Sequence, residues 1–385
     1  MTRALDLSQL LGDVVRAYGA MDFDVGEEGI SPRRLPDWTR PQLPGPVDVV
    51  ARMASGVRLQ FSTDTRRLGL SFLATTRHTA DRPRRPVTFN LETGGRIHSA
   101  ESNLGNDIIL GSRTPGDFEF VPGEPDTIWF TDLDGASSDC ELWLPHNASV
   151  ELRTLIVDDG AKLAPMTADG RARWIHYGSS ISQCGEAEEP AYIWPAVAAR
   201  RANVAMQNLG LSGQCHLDQF IARTIRDADA DIVSIKTGIN IVNADSMRER
   251  VFVPALHGFL DTVREGKPET PIIAVSPIFC PGAETRPGPM MRHASTGKFD
   301  AIKGHDEIRN GSMSLRRVRE IIAEVVDTRR RSGDEHLYYL DGLTLFGTDD
   351  AEDLPDDLHP NAAGYIRIGE RFAPTLERWA ELAGR

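Results

Sequence analysis

Asp356 and His359 are the residues of this chain whose types and spacing most directly suggest catalysis. A separation of three residues places two side chains on one side of a tight turn or first helical turn, where a carboxylate can reach the Nδ1–H of an imidazole. An imidazole held in this way can take the proton of a serine hydroxyl, which is a poor nucleophile at neutral pH without a base. Residues 177–182, Tyr-Gly-Ser-Ser-Ile-Ser, supply such a serine at Ser180.

Two further segments contain groups that could stabilise a developing negative charge. Residues 208–213 end on Gly213, and residues 237–240 end on Asn240. The backbone N–H groups of Gly213 and Ser180 and the side-chain amide of Asn240 could together form an oxyanion hole, in which one donor contributes roughly 3–4 kcal/mol. Taken singly, each segment has a simpler interpretation: turn and cap serines, a turn glycine, and a left-handed or capping asparagine.

The first part of the chain shows the alternation of apolar and polar residues that is typical of half-buried antiparallel strands. The alternating positions are Val57, Leu59, Phe61, Val87, Phe89, Leu91, Ile128, Phe130, Leu142 and Leu144. Gly, Pro, Asp and Asn separate these short segments. This pattern predicts a β-sandwich domain over residues 1–165, including the N-terminal segment.

The second part, residues 170–385, alternates short apolar runs with longer helical patterns. Strands are predicted at residues 174–177, 205–209, 232–235, 272–275 and 337–340, and helices near 190–202, 217–228, 246–265, 312–330 and 361–383. Such alternation indicates βαβ crossovers and a parallel sheet, whose ligand sites lie beyond the carboxyl ends of the strands. Ser180, Gly213 and Asn240 follow the first three predicted strands. Residues 280–311, rich in Gly, Pro and Met, are predicted to form a lid or a disordered excursion.

Together the four segments resemble the SGNH or GDSL hydrolase family, whose sequence blocks centre on a serine, a glycine, an asparagine and a DxxH motif. The resemblance implies a flavodoxin-like, doubly wound parallel sheet with Ser180 as nucleophile, His359 as general base and Asp356 as its orienting acid. It also implies an oxyanion hole formed by Ser180, Gly213 and Asn240. Members with an N-terminal β-sandwich are similar to this chain in its first part as well.

The match departs from the family pattern at two positions. Ser179 stands where the family usually has an acidic residue, and Ile241 follows Asn240 where an aspartate is usual. The second departure leaves the support of Asn240 open. An ordinary α/β-hydrolase is disfavoured, because residues 178–182 lack the second glycine of a nucleophile elbow.

Composition and charge limit the classes of partner. The formal net charge is −13, with 43 Lys and Arg against 56 Asp and Glu, which disfavours nucleic acid and anionic membrane surfaces. No secretory signal or membrane span is recognised at the amino terminus or elsewhere, so the sequence predicts a cytoplasmic protein. No metal or organic cofactor is predicted. Whether copies associate into a homo-oligomer stays open.

Several other residues have both a functional and a simpler interpretation. Cys184, Cys215 and Cys280 each follow a different strand and, with His216, could gather at the site rim, although free buried thiols are the commoner outcome. His176 and Trp194 are predicted to be core residues. Glu186, Glu188 and Glu189 are predicted to form an exposed acidic loop rather than the mouth of the site.

These inferences predict a serine ester hydrolase that acts on short acyl esters, including acetyl groups on carbohydrates, through an acyl-enzyme. The carbohydrate part rests on the resemblance to sandwich-bearing deacetylases. One alternative is a carboxylesterase or lipase for longer acyl chains, with Met290 and Met291 in an apolar lid. Another is a catalytically idle carbohydrate-binding protein.

Overall fold

The computed structural model of the chain describes residues 1–111, 117–305 and 307–383. It divides the chain into two compact units. The first comprises Met1–Gly170 together with Glu188–Ala191, and the second comprises Arg171–Ala187 and Tyr192–Arg385. The sequence places the boundary at residues 165–170, and it does not anticipate that residues 188–191 group with the first unit. Residues 112–116, 306 and 384–385 of the predicted domains lie outside the described part.

The first unit is built from two sheets that are antiparallel except for one parallel strand pair, residues 75–79 with residues 106–110. Its strands are β1 (Thr2–Asp6), β2 (Arg16–Tyr18), β3 (Asp22–Val25), β4 (Ile30–Arg33), β5 (Arg58–Thr63), β6 (Leu68–Thr79), β7 (Val87–Thr93), β8 (Arg96–Ser102), β9 (Asn106–Leu110), β10 (Phe118–Val121), β11 (Asp126–Phe130), β12 (Ser138–Trp143), β13 (Ala148–Asp158) and β14 (Leu163–Ala164). Two short helices accompany them, α1 (Leu7–Leu10) and α2 (Gly45–Ala51).

These strands form an eight-stranded sheet and a six-stranded sheet. The order of the first is β10-β9-β6-β13-β4-β3, with β1 on β13 and β11 on β6; that of the second is β14-β5-β12-β7-β8, with β2 on β5. Alternate residues of β5, β6, β7 and β13 are buried in one apolar cluster. Phe72 of the larger sheet and Phe89 of the smaller meet within it, with ring centroids 4.6 Å apart. The predicted β-sandwich is confirmed.

The second unit contains a parallel sheet. Its strands are β15 (Arg173–Gly178), β16 (Ala205–Gly210), β17 (Ile232–Lys236), β18 (Ile272–Val275), β19 (Met290–Arg292), β20 (Phe299–Ala301) and β21 (Leu337–Leu340). Its helices are α3 (Ser180–Gln183), α4 (Trp194–Arg201), α5 (Gln219–Asp227), α6 (Ile239–Ala244), α7 (Glu249–Gly266), α8 (Leu315–Arg331) and α9 (Ala362–Ala383). Short 3₁₀ helices lie at Asp37–Gln42 in the first unit, at Pro190–Tyr192 on the boundary between the units in sequence, and at Gly342–Thr344 and Thr348–Asp353 in the second unit.

The sheet order β16-β15-β17-β18-β21, with every neighbouring pair parallel, confirms the predicted flavodoxin-like fold. α4 packs against α9, and α5 packs against α7. The rings of Trp174 on β15, Trp194 on α4 and Phe372 on α9 contact one another at centroid distances of 5.3–6.1 Å. Trp194 is therefore a core residue, as predicted.

The segment of residues 280–311 contains regular structure that its composition does not predict. β19 and β20 pair as an antiparallel hairpin, in which Met291 opposes Asp300. Met290 is buried and Met291 is exposed. Of the helices in the described part of the chain, none combines the length and the apolar character needed to span a membrane.

Candidate active site

The nucleophile segment is a tight turn between β15 and α3. Ser179 caps α3, with its hydroxyl accepting a hydrogen bond from the N–H of Ile181 at 3.3 Å, so that Ser180 becomes the first residue of the helix. Gly178 precedes it at a position without room for a Cβ, which would collide with the side chains of Ser182 and His176. The turn thus leaves Ser180 partly exposed at the carboxyl end of β15 while its neighbours are buried.

The structure brings the three predicted catalytic residues into one hydrogen-bonded chain. The Oγ of Ser180 lies 3.0 Å from Nε2 of His359, and Nδ1 of His359 lies 2.9 Å from Oδ2 of Asp356. The other carboxylate oxygen, Oδ1, accepts hydrogen bonds from the backbone N–H groups of His359 at 2.7 Å and Leu358 at 3.1 Å. The carboxylate therefore holds both the backbone and the ring of the base. Residues separated by 179 positions meet at the Ser180–His359 contact.

The charge state of Asp356 suits an orienting acid. Burial of its carboxyl raises the pKa, but the hydrogen bonds and charge of His359 and the N–H of Leu358 outweigh burial, so the pKa lies below the usual value. Asp356 therefore stays ionised at neutral pH. Its acceptor oxygen keeps the proton of the imidazole on Nδ1, which leaves Nε2 to accept the serine proton.

Gly213 and Asn240 lie at the ends of β16 and β17, the two strands that flank β15. Asn240 is buried, and its Oδ1 accepts a hydrogen bond from the N–H of Cys215 at 3.0 Å. This contact fixes the amide so that Nδ2 is its donor end. The family pattern usually has an aspartate after this asparagine, whereas this chain has Ile241. Here the backbone N–H of Cys215 supports Asn240. Gly213 is exposed and has a left-handed φ of +70°.

Hydrogen bonds tie the end of β16 and the loop that follows it to the segment around Ser180. Asn208 donates from Nδ2 to the carbonyl of Ser182 at 2.9 Å, and the N–H of Ser212 donates to Oε1 of Gln183 at 3.0 Å. The N–H of Leu211 donates to the carbonyl of Gly178 at 2.8 Å. The glycine and serine segments are therefore held as one unit of structure.

A buried polar network lies beneath the nucleophile. Ser234 accepts from Nε1 of Trp174 at 2.8 Å and lies 2.7 Å from Nδ1 of His176, whose Nε2 lies 2.7 Å from Oγ of Ser182. Burial, followed by the nearby charge of Lys236, lowers the pKa of His176 well below its usual value. His176 is therefore a neutral core histidine, as the sequence predicts, and it braces the helix that begins at Ser180.

The β19–β20 hairpin contacts the segment that carries the base. The N–H of Phe299 donates to the carbonyl of Asp356 at 2.9 Å. The Phe299 ring meets the His359 ring edge-on, with centroids 6.0 Å apart and an interplanar angle of 81°. Nζ of Lys298 lies 3.2 Å from the carboxylate of Asp357. Sequence reasoning missed Phe299, because nothing in a Gly- and Pro-rich segment signals which residue will meet a distant histidine.

The cysteines do not form a metal cluster with His216. All four are buried free thiols, and burial raises the pKa of Cys215 to about 11 and that of Cys280 to about 12. His216 instead lies 2.8 Å from Oγ of Ser246 and 3.1 Å from the carbonyl of Gly213. Within the described residues, no group of three or more His, Cys, Asp or Glu side chains could hold a metal ion.

The acidic loop after the nucleophile is not uniformly exposed. Glu188 is exposed, as predicted, but Glu186 and Glu189 are partly buried. Oε1 of Glu186 lies 3.9 Å from Nδ1 of His359, and Glu189 accepts a hydrogen bond from Nδ2 of Asn90. The prediction of an exposed loop is therefore wrong for these two residues, because each finds a partner far away in the sequence.

The comparisons agree with this fold. Residues 172–280 match the model of the GDSL-like Lipase/Acylhydrolase family. The predicted resemblance is thus confirmed for the part of the chain that holds Ser180, Gly213 and Asn240, whereas Asp356 and His359 lie beyond the match. No curated protein matches the chain in sequence.

Solved structures similar to the whole chain include a salicylyl-acyltransferase from a tetracycline biosynthetic pathway, with a TM-score of 0.81 and 24% identity over 100% of this chain and 99% of that one. A family two carbohydrate esterase from Clostridium thermocellum, solved with cellohexaose, has a TM-score of 0.60 and 15% identity over 96% and 100% of the two chains. An acetyl xylan esterase from the rumen bacterium Butyrivibrio proteoclasticus has a TM-score of 0.55 and 12% identity over 100% of both. At these identities the likeness establishes the fold.

Proposed function

We propose that this protein is a serine ester hydrolase that removes short acyl groups, acetyl above all, from carbohydrate esters through an acyl-enzyme on Ser180. The observation that carries the proposal is the hydrogen-bonded chain from Ser180 through His359 to Asp356, with contacts of 3.0 and 2.9 Å. Such a chain provides a nucleophile, a general base and an orienting acid in one arrangement.

In the proposed reaction, Nε2 of His359 takes the Ser180 proton as Oγ attacks the ester carbonyl. The imidazolium that forms keeps its Nδ1–H bonded to Asp356 and gives the Nε2 proton to the leaving alcohol, which departs as the acyl-enzyme forms. His359 then takes a proton from water as the water attacks the acyl group. The imidazolium returns this proton from Nε2 to Oγ of Ser180 as the bond from Oγ to the acyl carbon breaks, which releases the acid and free Ser180. Protons and leaving groups therefore balance over the two half-reactions.

The carbonyl oxygen becomes negatively charged in both half-reactions. We assign its stabilisation to the N–H groups of Ser180 and Gly213 and to Nδ2 of Asn240, whose orientation is set by the 3.0 Å contact between Cys215 N–H and Asn240 Oδ1. Donors fixed before the reaction need little reorganisation as charge develops. These residues lie after three neighbouring strands, which supports their convergence at one edge of the sheet.

The proposed substrate class draws on the solved relatives. Two of the three described above are named as carbohydrate or xylan esterases, one of them for acetyl xylan. Their fold extends over nearly the whole of this chain, including the sandwich. A sugar acetate is therefore the first substrate to test.

Acyl transfer is a second candidate, favoured by the likeness to a salicylyl-acyltransferase over the whole chain. The same acyl-enzyme on Ser180 can pass its acyl group to a hydroxyl instead of to water, with His359 taking the proton from that hydroxyl. Hydrolysis and transfer then differ only in the second nucleophile. Product analysis with an added alcohol acceptor separates them.

The proposal is tested with p-nitrophenyl esters of increasing chain length and with a panel of acetylated saccharides, using wild type and Ser180→Ala. We expect the highest kcat/KM for acetyl esters, acetate release from at least one saccharide, and loss of these activities in Ser180→Ala but not in the control Ser332→Ala. Equal rates in wild type and Ser180→Ala would contradict the nucleophile. A preference for long chains would favour a lipase, and saccharide binding without turnover would favour an idle binding protein.

A further inference from the structure

A second carboxylate faces the catalytic histidine. Oε1 of Glu186 lies 3.9 Å from Nδ1 of His359, on the same ring nitrogen that Asp356 contacts at 2.9 Å. The acid of the DxxH segment is therefore not the sole negative charge beside the base. None of the mechanistic steps above uses Glu186.

Glu186 is held in this position by a buried partner. The Tyr365 hydroxyl, on α9, donates to Oε2 of Glu186 at 2.9 Å. Burial, with the negative charge of Glu186 second, raises the pKa of Tyr365 well above its usual value, so the phenol stays a proton donor. One carboxylate oxygen is thus anchored by the core while the other is directed toward the base.

The backbone before Glu186 is equally constrained. Cys184 ends α3 in the left-handed conformation with φ of +60°, and its N–H donates to the carbonyl of Ser180 at 2.7 Å. The N–H of Ala187 donates to the carbonyl of Cys184 at 3.0 Å. Glu186 therefore lies in a tight turn that begins at the nucleophile itself, so the positions of Ser180 and Glu186 are coupled.

The groups that surround the His359 ring set its net charge environment. Asp356 and Glu186 approach the ring directly. The charged or titratable groups that contact or couple to the residues beside it are Asp357 on its own segment, Lys298 on the hairpin, Cys184 after the nucleophile, Tyr365 on α9 and Cys280 after β18. Lys298 pairs with Asp357 at 3.2 Å, and burial raises the thiol and phenol pKa values, which keeps those groups neutral. Two carboxylates of the described residues, those of Asp356 and Glu186, lie at ion-pair distance from Nδ1 of His359.

We propose that Glu186 is a positioning residue for His359. Its carboxylate is a second negative charge beside Nδ1, after that of Asp356, and it stabilises the protonated ring and helps to orient it. This role rests on the proposed hydrolase function. When His359 accepts the serine proton, its positive charge lies between two carboxylates, one hydrogen-bonded and one acting through space. The Glu186 side chain is 31% exposed, so solvent screens its contribution below that of Asp356, which is 10% exposed.

Glu186→Gln isolates the charge, because the amide oxygen can still accept the Tyr365 hydrogen bond while the negative charge is lost. The matched control is Glu188→Gln, which removes an exposed carboxylate from the same loop. His359 is titrated by NMR in a Ser180→Ala background, and its signal is assigned by its disappearance in His359→Gln. We expect the His359 pKa to fall by about half a unit to one unit in Glu186→Gln and to stay unchanged in Glu188→Gln.

The activity arm uses the same substitutions with Ser180 intact. The acid limb of kcat/KM should move to lower pH in Glu186→Gln, with kcat/KM about 3- to 10-fold lower at its optimum. Asp356→Asn with Glu186→Gln should be slower than Asp356→Asn alone. An unchanged His359 titration in Glu186→Gln would overturn the inference even in an active esterase. A shifted titration without any ester hydrolysis would support the role of Glu186 at the histidine and count against the proposed function instead.

Discussion

At the scale of single residues, hydrogen bonds to the protein orient the polar groups of the site. Asp356 uses one carboxylate oxygen for the imidazole and the other for backbone N–H groups. Asn240 uses its acceptor oxygen for the Cys215 backbone and so presents its nitrogen as a donor. In both cases a side chain with two functional ends has one end committed to the protein, which preorganises the other end for the reaction.

Asp356→Asn should lower kcat by about 10² to 10⁴-fold, because an amide nitrogen facing Nδ1 favours the wrong imidazole tautomer.

The pH dependence expected of the wild type follows from the pKa of Asp356, which lies below its usual value. Asp356 therefore stays ionised as the pH falls to about 4, so an acid limb above that pH reports protonation of His359. The rate of p-nitrophenyl acetate hydrolysis as a function of pH measures this, and an acid limb that persists only below pH about 4 would contradict the assignment.

Asn240→Asp should reduce kcat by about 10² to 10³-fold, since a carboxylate can still accept from Cys215 N–H but offers no donor to the oxyanion. Asn240→Ala removes both functions and should also lower the free energy of unfolding. Comparison of the two variants thus separates the catalytic role of the Asn240 side-chain nitrogen from the structural role of its oxygen. Wild-type kcat in Asn240→Asp would remove this residue from the oxyanion hole.

At the scale of elements, the sequence predicts the long regular segments and misses the short ones. Strand β15 and helix α9 carry apolar patterns long enough to recognise, whereas α3 and α6 have four and six residues and show no complete helical period. The β19–β20 hairpin is missed for a different reason, because its strands have three residues each and lie among turn-forming residues.

Within the site, the predictable part is the part that the DxxH spacing and the strand ends determine. Ser180, Asp356 and His359 could be proposed from residue types and spacing, because the carboxyl ends of parallel strands share one edge. Glu186 and Phe299 could not, since their contacts with His359 depend on how a turn and a hairpin fold back on the site. Long-range side-chain contacts of this kind leave no local pattern.

Phe299→Ala tests the contribution of the hairpin to the base. The substitution removes the ring that contacts His359 edge-on but retains the backbone hydrogen bond to the Asp356 carbonyl. We expect kcat/KM to fall about 3- to 10-fold, in keeping with an aromatic contact of about 0.5–1.5 kcal/mol. Lys298→Ala, which removes an exposed ion pair with Asp357, should change kcat/KM less than about 3-fold. The reverse ranking in ester hydrolysis assays would contradict the role of the ring.

Ser182→Ala tests the buried network beneath α3. Loss of this hydroxyl leaves Nε2 of His176 without its partner in a fully buried position, so the free energy of unfolding should fall by about 1–3 kcal/mol. Urea denaturation measures the loss, and the exposed Ser332→Ala serves as the control. A change within about 0.5 kcal/mol for Ser182→Ala would show that the network adds little.

The same network predicts how stability depends on pH. The pKa of His176 is lowered well below 6.5 in the folded protein, so below pH about 6.5 the unfolded chain binds a proton that the folded protein does not. His176 should therefore reduce stability as the pH falls through that range, by up to about 1.4 kcal/mol per pH unit. Urea midpoints between pH 5 and 8 test this, compared with those of His176→Asn.

At the scale of the whole molecule, the path of the chain links the nucleophile segment to the sandwich unit. Residues 188–191 belong to the first unit, although the residues on both sides of them belong to the second. The buried Asn90 holds them: its Nδ2 lies 2.5 Å from Oε2 of Glu189, and its Oδ1 accepts from the N–H of Ala191 at 2.9 Å. Asn90 therefore anchors Glu189 and Ala191, which follow Glu186 by three and five residues in the sequence.

Trapping the acyl-enzyme shows directly whether Ser180 carries the acyl group in the proposed reaction. Wild type and Ser180→Ala are mixed with p-nitrophenyl acetate, quenched in acid within the first turnover, digested and analysed by mass spectrometry. We expect one acetyl group on the peptide that contains Ser180 in the wild type and none in Ser180→Ala. Turnover with the acetyl group on a different residue, or acetylation that persists in Ser180→Ala, would contradict it.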